Sequence, residues 1–73
     1  MNRQRLLWDT PTHRTKDRIA DVDGIGRYHI RRSYPGARAW VLNLNGQSYM
    51  GLFNSAEEAM GAAERDAYSR NHQ

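Results

Sequence analysis

An α+β fold follows from three features of the chain. Two runs alternate apolar and polar residues and are bounded by turn dipeptides. A third run of strand length follows at once. An S-x-x-E signature then opens an alanine stripe of helical period. The expected architecture is a three-stranded antiparallel sheet packed on one C-terminal helix, in the order β-β-β-α. A flexible basic N-terminal arm precedes it. Residues 1–17 are expected to form the mobile arm and residues 18–73 the single domain. The 73 residues leave room for one small core.

The arm is polar, contains Pro11 and shows no sustained period. Its exception is "RLLW", Arg5 to Trp8, which either clips onto the domain's own core or offers apolar anchors to a partner. Arg18 to Val22 is a candidate for one further short strand. Asp23-Gly24 is a turn dipeptide, and Gly26 adds a permissive position. In "RYHIRRS" (Arg27 to Ser33), Tyr28 and Ile30 share one face, while Arg27, His29 and Arg31 share the other. "YPGA" (Tyr34 to Ala37) supplies the next turn. "AWVLNLN" (Ala39 to Asn45) sets Trp40, Leu42 and Leu44 against Val41, Asn43 and Asn45. Asn45-Gly46 is a strong hairpin signal, and "QSYMGLF" (Gln47 to Phe53) is the third strand.

The helix begins without a loop. Ser55 fits the N-cap and Glu58 the third helical position, and Glu57 and Glu58 complement the helix dipole. Ala56, Ala59, Met60, Ala63 and Ala67 form the apolar stripe; Glu57, Gly61, Glu64 and Tyr68 lie toward the opposite side. Asp66 and Arg70 are spaced for an i,i+4 pair. The helix is expected to fray near Asn71. The face it covers carries Tyr28, Ile30, Trp40, Leu42, Leu44, Met50 and Phe53. Met50 and Phe53 break strict alternation, which calls for a bend near Gly51.

Composition narrows the function. There are no cysteines, so neither disulfides nor a thiolate metal site is available. His13, His29 and His72 are scattered, and neither metal nor cofactor is expected. No apolar run is long enough to span a bilayer, and "MNRQRLLWDTPTHR" lacks the apolar core of a signal peptide. The expected setting is the cytoplasm, in association with the nucleoid if DNA is the partner. No nucleophile–base–orienter set or phosphate-binding glycine loop is evident, so an enzyme is not expected.

The formal net charge is +3, and the sequence pI is about 9.8. No acid occurs from Gly24 to Ala56, where Arg27, Arg31, Arg32 and Arg38 lie. Such a segment suits a polyanionic partner, although small surfaces are often uneven. The expected open face carries Arg27, His29, Arg31, Val41, Asn43, Asn45, Gln47 and Tyr49. It is either a solvated sheet face or a reader of the DNA major groove. Arginine matches guanine there, and asparagine and glutamine match adenine. Arg32, Arg38, Arg14, Lys16 and Arg18 would then engage phosphates.

"YMGLFNSAEEAMGAAERDAY" (Tyr49 to Tyr68) resembles the joint between the third strand and the helix in the plant ethylene-response-factor type of DNA-binding domain. Related domains occur in phage and bacterial homing endonucleases and integrases. Tyr49, Met50, Gly51, Phe53, Asn54, Ser55, Glu57, Glu58 and Ala59 fit that pattern. "RYHIRR" resembles the family's first strand and "WVLNL" its second, so the resemblance spans about residues 26–68. It implies a three-stranded sheet lying in the major groove. It also implies contacts at Arg31 and its neighbours, Asn43, Asn45, Gln47 and Tyr49. The family usually has Glu and Arg where Asn43 and Asn45 stand, arginine at Gln47 and tryptophan at Tyr49, so this face is less positive.

The expected function is a small double-stranded DNA-binding protein, phage or mobile-element encoded, acting as a monomer or weak homodimer in transcription regulation. Its candidate contacts are Arg27, His29, Arg31, Arg32, Arg38, Asn43, Asn45, Gln47 and Tyr49. The alternative is a small module engaging a host protein through Leu6, Leu7, Trp8, Val41 and Tyr49.

Overall fold

The computed structural model describes residues 4–72. The first three residues of the expected arm and Gln73 lie outside the described residues. The architecture is α+β, with strands β1 (Arg18–Val22), β2 (Gly26–Arg32), β3 (Trp40–Leu44) and β4 (Gln47–Phe53) followed by helix α1 (Ala56–Asn71). The sheet is antiparallel, in the order β1-β2-β3-β4. It therefore has four strands, where three were expected.

The added strand is β1, whose pairing with β2 runs from Arg18 opposite Ile30 to Val22 opposite Gly26. Its periodic signal is weak for a physical reason. The large apolar Ile19 shares the face of His29, while the small Ala20 shares that of Tyr28 and is 2% exposed.

Two turns fix the register of the hairpins. Asn45 (φ 53°) and Gly46 (φ 83°) both take the left-handed conformation that a tight β3–β4 hairpin needs. At the β1–β2 turn, Gly24 has φ 81° and Gly26 has φ 128°. The two turns touch: Asn45 Oδ1 accepts from the Arg27 amide at 2.9 Å, and Asn45 Nδ2 donates to the Ile25 carbonyl at 3.3 Å. A Cβ on Gly26 would lie 2.0 Å from Asn45 Oδ1, so only glycine fits there.

Tyr28, Ile30 and Leu42 are fully buried between the sheet and α1, with Trp40, Ala56, Ala59, Ala63 and Ala67 around them. The alanines let the helix approach the sheet closely. Ser55 is the N-cap: its Oγ accepts from the Glu58 amide at 3.1 Å. Asp66 locks the far end of the interface. It accepts from Tyr28 at 2.5 Å, Tyr49 at 2.8 Å and Arg70 at 2.7 Å.

Two faces of the helix are buried, where one was expected. Gly61 and Glu64 were placed on its solvent side, yet both are buried. The segment before β1 covers them. Leu6 is 7% exposed and belongs to the core. Glu64 Oε2 accepts from the Leu6 amide and from Trp8 Nε1, each at 3.1 Å, and the Glu64 carbonyl accepts from the Gln4 amide at 3.0 Å. Asn71 Nδ2 also donates to Gln4 Oε1. Asp9 then pairs with Ile19 through two backbone bonds of 2.8 and 2.9 Å. Over residues 4–9 the expected mobile arm is thus a strap across the helix and the edge of β1. No helix among the described residues is long and apolar enough to cross a membrane.

Candidate nucleic-acid interface

Cross-strand partners in an antiparallel sheet share a face, so the register defines the side turned away from α1. It carries Ile19 and Asp21 from β1, Arg27, His29 and Arg31 from β2, Val41 and Asn43 from β3, and Ser48 and Gly51 from β4.

Three expected members are elsewhere. Register shifts in the β3–β4 pairing leave Tyr49 without a partner between Ser48 (opposite Asn43) and Met50 (opposite Leu42). This β-bulge breaks the period of two that strict alternation assumed. Tyr49 consequently reaches Asp66 on the helix, with the Arg70 guanidinium 5.5 Å from its ring centre. Gln47 pairs with Leu44 and so shares the helix-side face. Asn45 belongs to the turn, where both ends of its amide are bonded to backbone. A second shift, between Trp40 and Val41, leaves Leu52 as the extra residue. It lets both Met50 and Phe53 lie on the helix side, although Met50 stays 37% exposed.

The expected absence of acids from this face also fails. β1 brings an acid to it, because the Asp23-Gly24 turn folds Asp21 opposite Arg27. Arg27 donates to both Asp21 oxygens, at 2.8 and 3.1 Å. This hydrogen-bonded pair holds the Asp21 carboxyl below its ordinary range and the Arg27 guanidinium above its own. His29 Nε2 lies 2.9 Å from Asp17 Oδ2. A phosphate at either residue would compete with a carboxylate already in place. Asn43 remains on the face, but its Oδ1 is shielded and has no hydrogen-bond partner among the described residues.

Other cations differ. Among the described residues Arg31 donates only to the Arg32 carbonyl, at 3.1 Å. Arg32 donates to the Ala37 carbonyl at 2.7 Å and stacks 4.9 Å from the Trp40 ring centre. Arg18 donates to the carbonyls of Lys16 at 2.5 Å and Asp17 at 3.3 Å. Arg38 is exposed. No ion pair among the described residues joins Lys16, Arg18, Arg31, Arg32 or Arg38 to a carboxylate.

These five residues share one end of the sheet. Lys16 and Arg18 enter β1, Arg31 and Arg32 end β2, Arg38 precedes β3, and α1 starts beside them. The acids at this end are Asp17, Glu57 and Glu58, of which only Asp17 has a basic partner among the described residues, His29. Alternation alone could not show this end-on grouping, because it sorts residues between faces and not along strands. The available signal was positional: the cations cluster at the predicted strand boundaries.

Several anchors of the alternative reading are used by the fold itself. Leu6 is core, Trp8 is bonded to Glu64, and Tyr49 is bonded to Asp66. The alternation of Leu6 and Trp8 about an outward Leu7, 93% exposed, was the signal for that docking. Comparison with known protein families, curated proteins and solved structures finds no match.

Proposed function

We propose that this chain is a small double-stranded DNA-binding protein that holds the duplex mainly by its phosphates. The observation supporting this is the grouping of Lys16, Arg18, Arg31, Arg32 and Arg38 at one end of the sheet, without carboxylate partners among the described residues. Cations left unpaired on a folded surface attract a polyanion, and counterion release from DNA drives such binding. The open face would enter the major groove from its Arg31–Val41 end, with Arg31 nearest the base edges. The likeness of Tyr49 to Tyr68 to the ethylene-response-factor joint supports the same reading. Arg27 and His29 contribute less, being engaged by Asp21 and Asp17. With Asn43 shielded and Asn45 and Tyr49 committed to the fold, base preference is weak.

Fluorescence anisotropy with a random duplex at low salt tests this. Arg31→Ala/Arg38→Ala should weaken binding by roughly tenfold or more, since each lost phosphate contact removes a charge-assisted bond. Arg27→Ala should change affinity by less than about threefold, as expected of a cation already held by a carboxylate. Wild-type affinity in the double variant, with an unchanged circular dichroism spectrum, contradicts the proposal.

A second reading rests on β4. This strand is a sheet edge, has no charged residue, and leaves Met50 and Leu52 exposed at 37% and 70%. Such an edge suits strand addition by a protein partner. DNA binding that is absent at low salt would favour it.

A further inference from the structure

Lys16, Arg18 and Arg32 are brought together around one open cleft of about 330 Å³, between the start of β1, the end of β2 and the start of α1. Trp40 forms part of its wall, and Ser55 and Glu57 line the helix side. The cations come from a turn and two strands, so the fold itself assembles them.

Both arginines are held in a way that leaves donors free. Arg18 bonds the backbone carbonyls of Lys16 and Asp17 through Nη1, and its Nε and Nη2 have no partner among the described residues. Arg32 is fixed by its stacking on Trp40 and by the Ala37 carbonyl, which Nη1 alone among its nitrogens bonds among the described residues. Like charges lining one cleft repel one another, and an anion bound among them relieves that repulsion. Glu57 is the carboxylate of the cleft, and it makes no ion pair within 4.0 Å to any of the three.

We infer that this cleft is a phosphate-binding site, its phosphoryl oxygens bonded by Arg18 and Arg32 and its charge balanced by Lys16. Its identity as a seat for one DNA-backbone phosphodiester rests on the function proposed above. Forked guanidinium donors suit phosphate oxygens, while lysine acts as a point charge. The start of α1 adds a field of the same sign. Glu57 opposes the ligand, which gives the site a recognisable signature: removing that one negative charge should tighten binding.

The test is an amide ¹⁵N–¹H titration of the full chain with inorganic phosphate, against chloride at equal ionic strength. A parallel titration uses a short random duplex. Saturable shifts are expected at Arg18, Arg32 and the amides from Ser55 to Glu57. Lys16→Ala/Arg18→Gln should weaken phosphate binding by roughly tenfold or more, as loss of a charge-assisted bond and a charge requires. Glu57→Gln should tighten it by about threefold, as removal of a nearby like charge at a solvent-exposed site does. Duplex binding that leaves the cleft amides unshifted and the double variant unimpaired overturns the cleft and leaves the DNA reading intact. Saturable phosphate binding in the cleft without any duplex binding supports the cleft and overturns the DNA reading. Absence of saturable shifts with both ligands overturns the cleft.

Discussion

A methyl group at Gly26 would sit 2.0 Å from Asn45 Oδ1, on a backbone whose φ of 128° excludes most side chains. Gly26→Ala should therefore cost on the order of 2–4 kcal/mol, read as a lower urea midpoint. Part of that cost is the collision with Asn45. In an Asn45→Ala background the same substitution should cost less, by about 1 kcal/mol, because neighbouring effects are not additive. Equal costs in both backgrounds would mean that backbone strain alone sets the requirement. Asp66 offers a second test at this scale. Burial raises its pKa, but bonds from Tyr28, Arg70 and Tyr49 outweigh that, and the net shift is downward. Tyr28 is shifted upward by burial and by its bond to Asp66, so it stays a neutral donor. Ionised Asp66 thus stabilises the fold. Its contribution is complete above the unfolded-chain value of about 3.9 and is lost as pH falls through the lower folded value. Thermal unfolding of wild type and Asp66→Asn should differ most near neutral pH and converge below about pH 4. A difference that grows with acidity would contradict this role.

Each element owes its position to a few local signals and some distant ones. The Ser55 cap is local, and Ser55→Ala should destabilise the chain by about 1 kcal/mol in urea unfolding. The β3–β4 hairpin was legible for the same reason, since Asn45-Gly46 names its own turn. The face of Tyr49 was not legible. A bulge depends on how β4 pairs with β3, and no period in β4 alone announces it. Glu64 was hidden in a different way: its partners Leu6 and Trp8 lie 58 and 56 residues away. The strap is nonetheless a structural element. A chain starting at Thr10 loses the burial of Leu6 and the two donors to a buried carboxylate, together on the order of 3 kcal/mol. A domain of this size has a total stability of only about 4–11 kcal/mol. The truncated chain should therefore melt well below wild type. Unchanged melting would show that residues 4–9 do not support the core.

At the scale of the whole molecule, charge is sorted along the sheet more than across it. Arg27 with Asp21, and Arg70 with Asp66, are ion pairs away from the end where α1 begins. The cations at that end are Lys16, Arg18, Arg31, Arg32 and Arg38, and none has a carboxylate partner among the described residues. The sequence made the basic segment visible, but its acid-free stretch did not translate into an acid-free face, because β1 folds Asp21 back onto it. The most direct measurement of a duplex-binding role is the salt dependence of binding to random double-stranded DNA, followed by anisotropy for wild type and Arg31→Ala/Arg38→Ala. Log affinity should fall linearly with log salt, and losing two phosphate contacts should flatten the slope by roughly 1.8. No binding at low salt, or a slope that the double variant leaves unchanged, would contradict phosphate contact through this end of the sheet.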